Sequence, residues 1–339
     1  MPAIPDATAI NPNVLRTGSR LVWTLIAALA IAAALACWAA GLSVDCRRLP
    51  SLAVAVAISA PVALFYRLFR PDPGIFYSTE SITQIFLISI FGALLAYGAA
   101  AFGLPLHDAE LLTADRWLGF DPRAYLDFVY AQPLLTLLCP IAYLSMIYQT
   151  VIVFVVLSLM RRIDRLHDFC VALVVSLAIT IAIFALYPAL GWYGYLAVDP
   201  ADYPKLPLFW NFVPHLEAVR AGTLHAIPLG DLRGIISFPS YHTAAAMLAV
   251  WAIWPVRLAR WPMLALNVLM VASAPIEGAH YLVDLGGGLV VGVCAILAAS
   301  AARNAIRLHW AGRTPAMAPA ASALPARRTW EGLHAAHSI

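Results

Sequence analysis

The chain has 339 residues, of which 62% are hydrophobic and 12% charged, with a formal net charge of +3. Mean hydropathy is +0.82, and the charged share is about half of the roughly 25% usual in soluble domains. Apolar blocks recur from residue 21 to residue 302, most of them near the ~20 residues that cross a bilayer as helix. This excludes a soluble enzyme, a disordered chain and a secreted disulfide scaffold. The mild positive charge also argues against a nucleic-acid partner. Cys37, Cys139, Cys170 and Cys294 lie in or beside apolar blocks and Cys46 sits in a loop. Without CxxC spacing they support neither a disulfide framework nor a zinc site.

In chain order, residues 1–19 read as a polar cytoplasmic tail. Arg16 and Arg20 precede the block 21–42, which reads as an uncleaved first membrane helix rather than a signal peptide. With the block at 50–69 it makes an accessory helix pair within 20–81. Blocks at 82–104, 133–159, 168–190, 239–256, 261–275 and 280–302 form a six-helix catalytic core over 82–302, the seventh helix starting close to Trp261-Pro262. The expected fold is an all-α polytopic membrane bundle of about eight helices, ending in a cytoplasmic, disordered tail at 303–339. Arginines at 161, 162, 165, 257, 260, 303, 307 and 313, with Arg67 and Arg70, place both termini in the cytoplasm; Arg47 and Arg48 conflict with that orientation.

Two outer segments stand apart. Residues 105–132 are acidic (Asp108, Glu110, Asp115, Asp121, Asp127) and read as an amphipathic or re-entrant helix, with a turn at 118–122 where Asp121 caps or turns. Residues 191–238 hold Trp192, Tyr193, Tyr195, Tyr203, Phe209, Trp210 and Phe212, an interfacial aromatic belt or a lid over a lipid access slot. No internal repeat appears, so an inverted-repeat transporter gains no support.

Ionisable groups at membrane-helix ends are costly and usually functional. Phe238-Pro239-Ser240-Tyr241-His242 opens the sixth helix and His280-Tyr281-Leu282-Val283-Asp284 opens the eighth. His280 and Asp284 are one helical turn apart and share a face. The carboxylate can orient one ring nitrogen and leave the other as nucleophile or base. Pro239 suits a first helical turn, whose free N–H groups favour an anion. Both motifs fall at the outer face. Polar caps at the interface are the plainer reading, and a metal site is the rival use of two histidines and a carboxylate.

The two motifs resemble those of the type 2 phosphatidic acid phosphatase superfamily. Its Pro-Ser-Gly-His stands here as Pro239-Ser240-Tyr241-His242. Its Ser-Arg, five residues, His, three residues, Asp stands as Ser273, Ala274, His280 and Asp284, so the arginine is absent. The Lys, six residues, Arg-Pro motif is not found. The run Gly234–His242, with Gly278–Asp284 and Asp115–Asp121, is similar to the inositolphosphotransferase-like (inositol phosphorylceramide synthase-like) branch and its bacterial members, over about residues 105–300. The resemblance implies that His280 takes the phosphoryl group, Asp284 orients it, and His242 protonates the leaving alcohol. Ser240 and nearby amides would hold phosphate oxygens. Arg220 or Arg233, ahead of Lys205, would replace the arginine, and Tyr241 and Glu277 complete the expected substrate-binding set.

The expected function is phosphoryl transfer from a lipid phosphate ester in the bilayer, to water or to an alcohol or lipid acceptor. It would take place at the outer face of a bacterial cytoplasmic membrane, without metal or other cofactor. A non-catalytic lipid transporter or scramblase and a metal-dependent membrane hydrolase are the rivals. Among other polar residues, His215 and His225 read as surface groups, Asn267 as an interhelical hydrogen bond and Gly286-Gly287-Gly288 as a close helix contact.

Overall fold

A computed structural model describes residues 11–47, 51–206 and 212–313. Phe209, Trp210, Arg48, the first ten residues of the expected N-terminal tail and residues 314–339 of the expected C-terminal one lie outside the described residues.

The first helix, α1 (Pro12–Ala39), starts well before residue 21, so the expected tail is helical from residue 12 onward. The Asn11 side chain accepts from the Asn13 N–H, and Pro12 sits in the first turn, where a missing N–H costs nothing. Hydropathy marks the apolar stretch of a helix, whereas caps mark its ends. The same reasoning corrects α3 (Pro73–Ala100), which begins behind an Asp72 cap and not near residue 82. It also corrects α12 (Leu282–Ala311), which runs past residue 302. Residues 303–311 are therefore helix, and Arg303 and Arg307 pair with Asp168 and Asp164 at 2.5 and 2.9 Å.

Between these lie α2 (Ser51–Leu68), α6 (Pro133–Leu159), α7 (Ile163–Leu186), α10 (Tyr241–Ile253) and α11 (Arg257–Glu277). All eight expected apolar helices are present, although α11 starts before Trp261 and carries Pro262 in its second turn. Six of them, α1, α3, α6, α7, α11 and α12, are long and apolar enough to cross a membrane, and the apolar parts of the other two are shorter, at Ala53–Leu68 and Tyr241–Ile253. The chain is an all-α multi-pass membrane bundle.

Helix α7 lies at the centre, against α1, α3, α10 and α12. Leu166, Phe169 and Phe184 of α7 are buried with Val22 and Ile26 of α1, Ile88 and Tyr97 of α3, and Leu248 of α10. Helices α6 and α11 pack together, and Asn267 donates to Gln149 across them at 2.6 Å, the expected interhelical bond. The outer segment 105–132 forms α4 (Asp108–Trp117) and α5 (Pro122–Tyr130), with Asp121 accepting from the Arg123 and Ala124 N–H groups. The long loop adds α8 (Trp192–Tyr195) and α9 (Phe212–Arg220).

A short parallel pair of strands, β1 (Ser43–Asp45) and β2 (Ala226–Pro228), ties the α1–α2 loop to the long loop. Nothing in the local sequence pattern marks it. It places Arg47 at the end of the bundle that holds the two histidine motifs, where Arg47 is neutralised by Asp45 at 2.6 Å. Arg165 donates to the carbonyls of Trp251 and Ala252, so the α7 start and the α10 end share the opposite end. The other basic clusters, around residues 161, 257 and 303, gather there too.

Helix α12 meets α10 through glycines. A Cβ on Gly288 would press into the Ser240 carbonyl oxygen and lie 2.8 Å from the Thr243 Cβ, whereas one on Gly286 would meet nothing within 4 Å. Gly288→Ala should therefore lower the melting temperature in detergent by several degrees. Gly286→Ala should be neutral or slightly stabilising, because alanine is the better helix former. Equal melting temperatures for the two variants would show that the α10–α12 contact is not close.

Candidate active site

Helix α10 opens at Ser240, whose hydroxyl accepts from the Thr243 N–H at 3.3 Å. Helix α12 opens at Tyr281, whose N–H donates to Asp284 Oδ2 at 2.9 Å. The two starts are joined, since the Ser240 N–H donates to the Asp284 carbonyl at 3.0 Å. Local capping thus brings the two motifs together.

Asp284 Oδ2 also accepts from the Ser237 hydroxyl at 3.1 Å and faces His280 Nδ1 at 3.2 Å. An ionised carboxylate there holds the proton on Nδ1 and leaves the lone pair on Nε2. The Ser240 hydroxyl lies 3.3 Å from that Nε2. The His242 ring centroid is 6.0 Å from that of His280. His280 and Asp284 are buried, and His242 is half-buried. The site therefore offers an oriented imidazole nitrogen, a hydroxyl beside it, a second imidazole within reach of a small group placed between them, and a helix start that favours an anion.

The outer acidic segment supports this site. Asp115 Oδ2 and Oδ1 accept the N–H groups of Leu282 and Val283 at 2.8 and 2.9 Å, capping α12 from α4. Asp108 accepts from the N–H groups of Leu190 and Gly191 at 3.0 and 2.9 Å and from the Tyr281 hydroxyl at 3.0 Å. Burial pushes both carboxyls above the usual carboxylate range, and the amide bonds pull them back. Trp192 and Tyr193 are buried rather than placed in an interfacial belt. They donate to the carbonyls of Pro275 and Ile276 at 2.8 and 2.6 Å, beneath the 278–280 loop. Tyr203 is buried as well and donates to Asp127 at 2.7 Å.

The remaining expected site residues make their contacts with other groups. Tyr241 packs into the main core and turns towards Ser176 of α7. Arg220 donates to the Leu104 carbonyl at 2.6 Å, and burial pulls its pKa down against the nearby Asp108. Arg233 pairs with Asp231 at 2.8 Å, and Lys205 stands over the Tyr130 ring at 5.6 Å. Glu277 neither caps its helix nor reaches the surface: it is buried, and neither carboxylate oxygen has a hydrogen-bond partner among the described residues. Ala274, which stands at the arginine position, is fully buried with Tyr143 and Leu285.

Sequence reasoning missed Tyr143. It lies in the middle of an apolar block and carries no local signal, yet its hydroxyl is 3.2 Å from His242 Nδ1 and its ring stacks on the imidazole at 4.1 Å. Among the described residues, no group of three His, Cys, Asp or Glu side chains could hold a metal ion.

Residues 109–298, more than half of the chain, match the sequence model of the PAP2 superfamily. The chain belongs to this superfamily. No curated protein and no solved structure matches it. The matched span begins in α4 and ends in α12, so it takes in both histidine motifs and the acidic segment that caps the second, and leaves out α1, α2 and α3. PAP2 proteins are in general phosphatases or phosphotransferases.

Asp115 gives the direct test of the supporting segment. Asp115→Ala leaves two partly buried N–H groups without their acceptor and should cost about 1–2 kcal/mol. It should lower both the melting temperature and turnover, with Asp115→Asn intermediate because it keeps one acceptor oxygen. An unchanged melting temperature in Asp115→Ala would mean that α4 does not hold the α12 start.

Proposed function

We propose that this PAP2 protein transfers the phosphoryl group of a lipid phosphate ester through a phosphohistidine on His280. The observation that carries the proposal is the buried His280–Asp284 pair, with Nδ1 held at 3.2 Å and Ser240 at 3.3 Å from Nε2. His280 Nε2 attacks phosphorus, and Asp284 stabilises the charge that grows on the ring. The P–O bond breaks, and His242 gives its proton to the departing alkoxide. Water or an acceptor alcohol then returns a proton to His242 and displaces His280. Ser240 and the amides at the α10 start hold the phosphate oxygens, while Arg220, Arg233 and Lys205 supply positive potential from the outer loop.

The departures from the common superfamily motifs, with Tyr241 and Ala274 in place of glycine and arginine, favour the inositolphosphotransferase-like branch. That branch would make an alcohol the natural acceptor. The arginine-rich end opposite the site favours an outer-facing centre with both termini in the cytoplasm of a bacterial cell. No step in this scheme calls for a metal ion.

One experiment covers chemistry and sidedness together. A membrane-impermeant, short-chain lipid phosphate is added to intact cells carrying the protein, with and without an alcohol acceptor. Turnover is expected outside the cells. His280→Ala should reduce it by at least about 10⁴-fold, and His242→Ala by about 10²–10⁴-fold. Turnover seen only after the cells are permeabilised would invert the orientation, and normal turnover in His280→Ala would end the phosphohistidine proposal.

A further inference from the structure

The turn between α10 and α11 lies at the arginine-rich end of the bundle, away from the two histidine motifs. It carries Trp254, Arg257, Leu258, Arg260 and Trp261. Both tryptophans are exposed, and Leu258 is 91% exposed. The two indole rings meet edge to face at 5.7 Å. The Arg260 guanidinium lies 5.8 Å from the centre of the Trp254 ring and 5.3 Å from that of Trp261. Two indoles thus hold one guanidinium in place. Contact of this kind engages the face of the guanidinium and leaves its N–H groups to find acceptors elsewhere.

The protein offers no anion there. The acidic residues of this end are engaged: Asp72 caps α3, Glu80 accepts from Ser19 and Trp23 at 2.7 and 2.9 Å, and Asp164 and Asp168 pair with Arg307 and Arg303. Arg165 spends its hydrogen bonds on the carbonyls of Trp251 and Ala252. Arg257 and Arg260 have no acceptor among the described residues, and the Arg260 Nε is both buried and unpaired. A buried N–H without an acceptor is a cost that a bound oxyanion removes.

A small anion would meet the charge but not the rest of this surface. Leu258 and the two indoles set an apolar rim beside the arginines, and tryptophan rings favour the headgroup level of a bilayer. A phospholipid supplies both halves, with phosphate oxygens for the planar guanidinium and acyl chains for the rim. Two uncompensated positive charges select a lipid of net negative charge over a zwitterion, whose own cation would oppose them. We propose that the α10–α11 turn binds the headgroup of an anionic phospholipid of the adjoining leaflet, with Arg257 and Arg260 taking its phosphate and Trp254 and Trp261 steadying Arg260. Helix α10 runs from His242 to this turn and α11 runs from it to the 278–280 loop, so the lipid would hold the far ends of both. The site is separate from the reaction at His280 and does not depend on it.

The test titrates purified protein in neutral detergent with dioleoyl phosphatidylglycerol, dioleoyl phosphatidylcholine or inorganic phosphate. Bound lipid is counted by native mass spectrometry, and the melting temperature is followed alongside. Phosphatidylglycerol should bind the parent in preference to phosphatidylcholine and raise its melting temperature, whereas inorganic phosphate should not. Arg257→Gln and Arg260→Gln should each weaken phosphatidylglycerol binding about fivefold, the effect of one basic residue near a lipid surface, and the double variant about twentyfold. Arg260→Lys should fall between Arg260 and Gln, because it keeps the charge and loses the fork. Trp261→Ala should weaken binding about threefold with no change of charge. These are surface substitutions, and lipid-free melting temperatures near that of the parent would show the variants folded. Lipid bound at the histidine end is common to all of them, so the differences report the turn alone.

Equal binding of the two lipids by the parent would overturn the proposal. So would an unchanged affinity in the double arginine variant. An equal loss in Arg70→Gln, in the α2–α3 turn of the same end, would replace the site by the general positive potential of that surface. A melting shift by inorganic phosphate that matches the lipid's would make the site one for a free anion and overturn the lipid assignment.

Discussion

One carboxylate oxygen sets the geometry of the site. Asp284 Oδ2 gathers the Tyr281 N–H, the Ser237 hydroxyl and His280 Nδ1 within 2.9–3.2 Å. Hydrogen bonds to an ionised acceptor are roughly twice as strong as neutral ones, so in a buried setting these three hold the imidazole in one tautomer and one orientation. The backbone of the same residue accepts from the Ser240 N–H, so the start of α10 cannot move without the start of α12. The glycine contact at Gly288 lets the two helices approach closely enough for that bond.

The elements outside the bundle follow from the same need. A helix start that carries a buried His–Asp pair leaves N–H groups that must be satisfied away from water. Asp115 reaches from α4 to take two of them, and Asp108 fixes the 190–191 turn and the Tyr281 hydroxyl. Trp192 and Tyr193 complete the support from beneath. The acidic segment is thus a clamp on the loop before α12, with the Asp108 and Asp115 carboxylates taken up by amides and the Tyr281 hydroxyl.

Much of this was legible in the sequence because hydropathy and motif spacing are local signals. Eight apolar blocks gave eight helices, and the His280–Asp284 contact was anticipated, but not its origin: His280 lies in the loop before the Tyr281 cap of α12, so the loop and not a shared helix face brings it to Asp284. Helix ends were misplaced wherever a cap extended a helix beyond its apolar part, as at Asn11 and Asp72. The support of His242 was not legible, since it depends on Tyr143, a residue about a hundred positions away on another helix. The burial of Trp192 and Tyr193 was missed for a similar reason: aromatic residues in an outer loop look alike whether they meet lipid or a protein carbonyl. The β1–β2 pair joins segments far apart in the chain and has no pattern of its own.

The site lacks the motif arginine. Ala274 is buried with Tyr143 and Leu285, so α11 offers no cation at that position. The proposed nucleophile, His280, does not depend on that position, and it offers the most direct measurement. Rapid quenching of the purified protein with a lipid phosphate labelled on phosphorus should trap a covalent phosphoenzyme that is stable to alkali and labile to acid, with the label on His280. Label absent from every quench time during measurable turnover, or found on a residue other than His280, would contradict phosphoryl transfer through this histidine.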